Sequence, residues 1–121
     1  GFGGVLLGAG CADPMSPKVL RSAMGSAFRV PFARTESMPE TLGQLRMAGY
    51  SILCSDLHGE DFYSRSPVNS KFVLVIGSEA HGISQATREQ ATHLVKLPMR
   101  GGAESLNAAV AAGIMMYELM R

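Results

Sequence analysis

The sequence has little that would assign it to a secreted, membrane-spanning or strongly charged class of proteins. Its 121 residues contain two cysteines and no tryptophan, and 11 Lys and Arg against 10 Asp and Glu give a formal charge of +1. Two cysteines cannot build a disulfide framework, so Cys11 and Cys54 are predicted to be buried thiols in a reducing compartment, the cytoplasm. No apolar run approaches the roughly 18 residues of a membrane span. A charge near zero excludes capture of RNA or DNA by bulk charge alone.

The common glycine motifs of nucleotide-binding proteins are also missing. After Gly8-Ala9-Gly10, the third glycine of a dinucleotide fingerprint would fall on Asp13, so a plain turn is favoured. The segment Gly77-Ser-Glu-Ala-His-Gly82 has P-loop spacing, but Ile83 follows where a lysine is required. Kinase and NTPase chemistry are therefore disfavoured.

The histidines show no pattern of metal ligands. His58, His81 and His93 lack the mutual spacing of a metal site, and no serine-histidine-aspartate order or nucleophile elbow is present. We expect solvated or structurally bonded imidazoles and no bound metal.

Short β-prone runs alternate with helical patterns along the chain. The predicted strands are Gly4–Leu7, which is expected to be buried, Phe28–Phe32, Tyr50–Cys54, Phe72–Ile76 and Leu94–Leu97. The predicted helices cover 18–27, 39–49, 84–91 and 104–120, and Ser84 is expected to cap the third. Residues 55–70 are predicted to form an exposed loop. This alternation predicts an α/β fold, a parallel sheet flanked by helices on both faces, with functional groups at the carboxyl ends of the strands.

The last predicted helix is apolar on nearly every side. One stripe contains Leu106, Val110, Gly113, Ile114 and Tyr117, and the other side is lined by Ala108, Ala111, Ala112, Met115, Met116 and Leu119. A helix that is hydrophobic all round is normally buried all round. In so small a domain this requires a second subunit or a further portion of the chain, and we predict a homodimer formed through this helix.

Two segments give the sequence a specific resemblance to a known family. Phe72-Val-Leu-Val-Ile-Gly-Ser-Glu-Ala-His-Gly-Ile-Ser84 resembles the second motif of the SpoU/TrmH-type (SPOUT superfamily) RNA ribose 2′-O-methyltransferases. Leu97-Pro-Met-Arg-Gly-Gly-Ala-Glu-Ser-Leu-Asn-Ala-Ala-Val-Ala-Ala-Gly-Ile114 resembles their third motif. Upstream, Gly10-Cys-Ala-Asp-Pro and Ser16-Pro-Lys-Val-Leu-Arg21 also resemble the family, so the likeness covers nearly the whole chain.

The resemblance implies a fold, a cofactor and a reaction. The C-terminal part of the sheet would be threaded into a trefoil knot, a rare exception to the rule against knots. The cofactor would be S-adenosylmethionine, held in bent form by the knot loops, and the active unit would be a homodimer. The reaction would methylate a ribose 2′-hydroxyl of rRNA or tRNA.

The resemblance also assigns cofactor-lining positions. Gly77, Leu97, Met99 and Leu106 fall where the family contacts S-adenosylmethionine. Tight glycine loops let backbone groups approach the nucleoside, and small apolar side chains wall its ring. The alternative for the three apolar residues is an ordinary place in the core.

Three further positions are implied to organise catalysis. Glu79 follows the fourth predicted strand, and Ser105 and Asn107 begin the last helix. The alternatives are a solvated loop carboxylate for Glu79 and helix capping for Ser105. Asn107 offers a donor and an acceptor in an otherwise apolar helix, which favours a bonded amide that faces the site.

The first motif of the family is missing from its expected place. It consists of an Asn and, six residues later, an Arg, both before the strand that begins near Gly4. Residues 1–121 are therefore expected to be a SpoU-type catalytic domain that lacks its N-terminal β-α unit. One alternative is a catalytically inactive dimer module that binds the cofactor or RNA, and a weaker one is a generic α/β nucleotide-binding domain.

Overall fold

The structure is a computed structural model that describes residues 2–8, 30–77, 82–99 and 107–121. The chain divides into two compact units, Gly1–Thr41 and Leu42–Arg121. The helix predicted over 18–27 and the predicted buried thiol of Cys11 lie outside the described residues.

The first unit contains a two-stranded parallel sheet. Strand β1 (Val5–Leu7) pairs with β2 (Phe32–Arg34), and the Val5 backbone N–H extends the ladder by donating to the Pro31 carbonyl at 2.9 Å. The second strand was predicted over 28–32, but it begins at Phe32. Proline lacks the N–H that a ladder needs, so Pro31 stands just before the strand. Val5 and Phe32 are exposed, and the prediction of a buried first strand is wrong within this chain.

Helix α1 (Met38–Met47) follows β2. Its first turn is closed by the Ser37 hydroxyl oxygen, which accepts from the Glu40 N–H at 3.3 Å. Gly49 follows the helix at φ +97°, a left-handed conformation that favours glycine. Leu42 is fully buried, as the apolar pattern predicts. Met47, an apolar residue five positions later, is 91% exposed, because that spacing turns it about 140° away from Leu42 around the helix.

The second unit is built on a three-stranded parallel sheet with the order β4-β3-β5. The strands are β3 (Ser51–Asp61), β4 (Phe72–Val75) and β5 (His93–Lys96). Strand β3 is central, and its first four residues are buried. Strand β4 is an edge strand among the described residues and is half-buried, whereas its unbroken apolar run predicts burial on both faces. The α/β class and the parallel pairing agree with the prediction.

Strand β3 is longer than predicted. The sequence predicts an exposed loop from Ser55, but the strand continues to Asp61. Ser55 and Glu60 both pair with Val95, so the four residues between them leave the ladder as a large bulge. Gly59 lies in this bulge, where a Cβ would stand 2.6 Å from the backbone of β5. The polar bulge has no alternating pattern, which explains why the strand was missed.

The described part of the unit after β3 contains three helical segments. They are a 3-10 helix at Phe62–Ser64, the short helix α2 (Gln85–Arg88) and the last helix α3 (Ala108–Leu119). Ser84 caps α2 as predicted, because its hydroxyl oxygen accepts from the Thr87 N–H at 3.2 Å. None of the helices in the described part of the chain is long and apolar enough to cross a bilayer.

The core of the second unit joins the sheet to α3. Leu53, Phe62, Val95 and Met115 form a buried cluster, and Leu97 and Leu119 are among the residues that pack against it. Burial of each such large side chain stabilises the fold by about 1.5–3 kcal/mol. Helix α3 therefore faces the sheet through its Met115 side.

Candidate functional site

The carboxyl ends of β4 and β5 bring two of the predicted cofactor residues to one edge of the sheet. Gly77 stands two residues after β4, and Leu97 follows β5 directly. Both strands run parallel to β3 and flank it. Strands in a sheet are spaced at about 4.8 Å, so β4 and β5 end roughly 10 Å apart across β3. This edge is where α/β proteins bind their ligands.

Gly77 forms one side of a tight loop stem. A Cβ at Gly77 would lie 2.4 Å from the carbonyl carbon of Gly82 and 2.6 Å from the backbone nitrogen of Ile83. The two ends of the loop therefore touch backbone to backbone, which only glycine permits. Gly82 has φ +65°, a second position that favours glycine. Glu79 belongs to the segment between them and lies outside the described residues.

Leu97 and Met99 belong to the segment that follows β5, and both are half-buried. The Leu97 side chain packs against the core cluster of the second unit. This contact supports the alternative that Leu97 is an ordinary core residue. Leu106 lies outside the described residues. The assignment of these residues to a cofactor stays a prediction.

Asn107 is the N-cap of α3. Its Oδ1 accepts from the backbone N–H groups of Ala109 at 2.9 Å and Val110 at 3.4 Å. The helix was predicted to begin near Glu104 and was assigned no cap at Asn107, but it begins at Ala108 because this amide closes its first turn. Ser105 lies outside the described residues. The bonded amide expected at Asn107 is present, and its bonds orient the start of α3.

An ion pair near this edge was missed by sequence reasoning. Arg88 Nε lies 2.8 Å from Asp56 Oδ2, and the Asp56 side chain is only 6% exposed. The contact is a close charge pair rather than an aligned hydrogen bond. Asp56 lies in the bulge of β3 and Arg88 ends α2. No local pattern could pair residues so distant in the sequence.

Cys54 lies close to the same charges. The thiol is buried, which confirms the prediction for this cysteine. Burial raises its pKa from 9.0 to about 11, while Arg88 acts to lower it and Asp56 to raise it. The thiol is therefore neutral at physiological pH and is a poor nucleophile.

The His93 ring is structurally bonded, as predicted. The His93 ring bonds to Thr92 Oγ1 through Nδ1 at 2.7 Å and to the Pro67 carbonyl through Nε2 at 3.1 Å. His81 lies outside the described residues. Across residues 2–8, 30–77, 82–99 and 107–121, His, Cys, Asp and Glu side chains form no group of three or more that could hold a metal ion.

Comparison with known proteins gives this arrangement a family context. A sequence model described as the SpoU rRNA Methylase family matches residues 1–117. The chain is 37% identical over 119 residues to the 23S rRNA (guanosine(2553)-2′-O)-methyltransferase RlmP of Bacillus subtilis, which covers 98% of this chain and 48% of that protein. It is 35% identical over 121 residues to an uncharacterized tRNA/rRNA methyltransferase of Synechocystis, covering all of this chain and 44% of that one. The chain spans about half the length of these relatives.

Solved structures share the fold. An AdoMet-bound rRNA methyltransferase from Sinorhizobium meliloti superposes with a TM-score of 0.86 at 32% identity, covering 96% of this chain and 44% of that one. The SpoU methyltransferase AviRb from Streptomyces viridochromogenes, in complex with AdoMet, gives 0.82 at 35% identity, covering 95% and 45%. The α/β architecture with parallel sheets is common to all three.

The described residues fit a nucleoside-containing ligand such as S-adenosylmethionine. Gly77 brings no side chain to the place where its backbone meets that of Gly82 and Ile83. Leu97 and Met99 supply half-buried apolar surface on the segment that follows β5. Backbone polar groups next to apolar walls are what an adenine ring and a ribose require.

Proposed function

The chain belongs to the SpoU rRNA methylase family, and from this premise we propose that it transfers the methyl group of S-adenosylmethionine to a ribose 2′-hydroxyl of rRNA or tRNA. The family match over residues 1–117 carries the proposal, because it includes both motif segments. A relative named as a 2′-O-methyltransferase and AdoMet-bound structures with the same fold support the acceptor and the cofactor. The expected setting is the cytoplasm.

The cofactor is proposed to bind at the carboxyl edge of the β4-β3-β5 sheet. Gly77, Leu97, Met99 and Leu106 would hold it, the glycine stem through its backbone and the other three through apolar contact. When bound, S-adenosylmethionine would supply an activated methyl group for transfer to the ribose oxygen, with S-adenosylhomocysteine as the leaving group. The protein would mainly have to align the two reactants, and a side chain of the site would have to accept the hydroxyl proton.

Glu79, Ser105 and Asn107 are proposed to organise that step. The two cap hydrogen bonds of Asn107 set the direction of the first turn of α3. Ser105 and Leu106 directly precede that turn in the sequence. Glu79 lies between Gly77 and Gly82 in the sequence, and its carboxylate is proposed to orient the acceptor or take its proton.

We place residues 1–121 in one SpoU-type catalytic domain whose C-terminal part is threaded as a trefoil knot. The touching backbones of Gly77 and Gly82 support a closed loop at the place where the resemblance puts a knot loop. The first-motif Asn and Arg would belong to a neighbouring β-α unit of the same protein.

The active unit is proposed to be a homodimer formed through α3. Val110 is 51% exposed and Tyr117 is 80% exposed, and Ile114 lies exposed on the same stripe. The helix carries no charged residue from Ala108 to Tyr117, so one copy of this stripe suits another. Removal of such side chains from water by a partner contributes about 1 kcal/mol or more for each. The all-round burial predicted for α3 is not reached within this chain, and a second copy would supply it.

The reaction is tested with the full-length gene product. The protein is incubated with methyl-labelled S-adenosylmethionine and with total RNA from a strain that lacks the gene, and the digested nucleosides are analysed by mass spectrometry. We expect label in one 2′-O-methylnucleoside. Label on a base would contradict the ribose as acceptor. Cofactor binding without any transfer would favour the inactive binding module.

A further inference from the structure

We propose that the Asp56–Arg88 ion pair is a positioning element for the cofactor loop. It holds α2 against the end of β3 and thereby keeps the Gly82 side of the loop stem in register with Gly77. This inference rests on the proposed cofactor binding. It assigns a role to two residues outside both motif segments.

Each carboxylate oxygen of Asp56 has one partner. Oδ2 faces Arg88 Nε at 2.8 Å, and Oδ1 accepts from the His58 backbone N–H at 2.8 Å. The hydrogen bond with His58 lies within the bulge of β3 and fixes the orientation of the Asp56 carboxylate that faces Arg88. Because the Asp56 side chain is almost completely buried, water screens this charge poorly. Arg88 is 39% exposed and reaches inward to it.

Helix α2 has only four residues, so its orientation depends on contacts with the neighbouring strand. Its following segment is tied to the start of β3 by Thr92, whose Oγ1 accepts from the Ile52 N–H at 2.8 Å and whose N–H donates to the Ile52 carbonyl at 2.8 Å. The ion pair adds a second tie to the same strand, at Asp56. Contacts with β3 at two positions, Ile52 and Asp56, determine the tilt of α2 relative to the strand. A contact at Ile52 alone would allow α2 to change its tilt.

The tilt of α2 affects the loop stem because the two backbones of the stem are in direct contact. Ser84 caps α2, and Ile83 and Gly82 directly precede that cap. Gly82 and Ile83 touch Gly77 through their backbones. A change in the tilt of α2 therefore moves one side of the stem relative to the other. The spacing between Gly77 and Gly82, the two described ends of the loop, would then change.

The test compares two destabilised variants of the full-length protein. Arg88→Gln removes the positive charge beside Asp56, while Phe62→Leu loosens the core without touching the loop stem or α2. Titration calorimetry gives the affinity for S-adenosylmethionine, and hydrogen exchange without cofactor gives the protection of the amides from Thr87 to Gln90, which donate hydrogen bonds within α2 and its ends. Circular dichroism gives the thermal midpoint of each variant.

We expect Arg88→Gln to weaken S-adenosylmethionine binding by about tenfold and to speed exchange at those amides. Phe62→Leu should lower the thermal midpoint and change neither quantity. Arg88→Lys keeps the charge and should recover part of the affinity. If Arg88→Gln fails to fold, Asp56→Asn serves instead, because it keeps the acceptor for His58 and removes only the charge.

The outcomes separate this inference from the proposed function. Wild-type affinity and wild-type exchange in Arg88→Gln would overturn the positioning role while leaving the methyltransferase proposal intact. Equal losses in Arg88→Gln and Phe62→Leu would also overturn it, because a general loss of stability would then explain both. No binding by the wild-type protein would overturn the proposed function and this inference together.

Discussion

The Gly77 stem allows a sharp test by substitution. In Gly77→Ala the new Cβ would stand 2.4 Å from the carbonyl carbon of Gly82 and 2.8 Å from its oxygen. Carbon atoms in ordinary contact are about 3.5–4.0 Å apart, so the two backbones must separate by roughly 1 Å. Both contacts are with backbone atoms, which cannot turn away as a flexible side chain can. The substitution should therefore widen the loop that the cofactor is proposed to occupy.

The expected effect on binding follows from that displacement. A micromolar ligand is bound by about 8 kcal/mol, and each tenfold loss of affinity corresponds to about 1.4 kcal/mol. Several backbone contacts to the nucleoside depend on the stem, so we expect Gly77→Ala to weaken S-adenosylmethionine binding by at least tenfold. Displacement of the reacting groups by about 1 Å can reduce turnover by a further factor of about 100.

Gly82→Ala is the matched control. Gly82 has φ +65°, but a Cβ there would meet no atom within 4 Å. This variant should lose about 1–2 kcal/mol of stability through its left-handed backbone and keep the stem spacing. Titration calorimetry measures the affinity of both full-length variants for S-adenosylmethionine, and thermal unfolding measures their midpoints. Backbone strain in Gly82→Ala should lower the midpoint, whereas separation of the stem in Gly77→Ala should lower the affinity. Wild-type affinity in Gly77→Ala would refute the role of the stem.

Three other expected outcomes test separate parts of the account. Asn107→Ala should lose about 1 kcal/mol of stability in thermal unfolding and most methyl transfer, whereas Asn107→Asp should keep the cap and lose only transfer; full activity in both variants would remove the amide from the site. Ile114→Asp should produce monomers in sedimentation velocity, while Met47→Asp, on an exposed helix end, should not; an unchanged dimer in the first variant would contradict the α3 interface. Burial raises the pKa of Cys54 to about 11, so its protonated form stabilises the native state fully below pH 9 and this contribution is lost as pH rises from 9 to 11. The Cys11→Ser variant leaves Cys54 as the one thiol of residues 1–121. Its free energy of unfolding should fall by up to about 2 kcal/mol between pH 9 and 11, and a free energy that does not change with pH would contradict the buried thiol.

Much of the fold could be predicted from local pattern. The apolar runs of β4 and β5 and the cap of α2 at Ser84 are signals that lie within a few residues of sequence, and the structure contains them. The second half of β3 could not be predicted, because its bulge places Asp56 and Gly59 where an alternating pattern would be expected. Tertiary pairing with β5, rather than local propensity, makes it a strand.

The candidate site divides in the same way. The resemblance assigned Gly77 to the cofactor, and this assignment stays a prediction. The close approach of the Gly82 backbone, which requires a glycine at position 77, was visible only in the structure. The Asp56–Arg88 pair joins two elements that are distant in the chain, and such a contact leaves no trace in spacing or composition. The cap role of Asn107 was missed because the helix was expected to begin one turn earlier.

The most direct test is a crystal structure of the full-length protein bound to S-adenosylmethionine. The account predicts the nucleoside at the carboxyl edge of the β4-β3-β5 sheet, in contact with the Gly77 backbone and the Leu97 and Met99 side chains. Ordered cofactor elsewhere on the protein, or a saturated soak that leaves this edge without density, would contradict it.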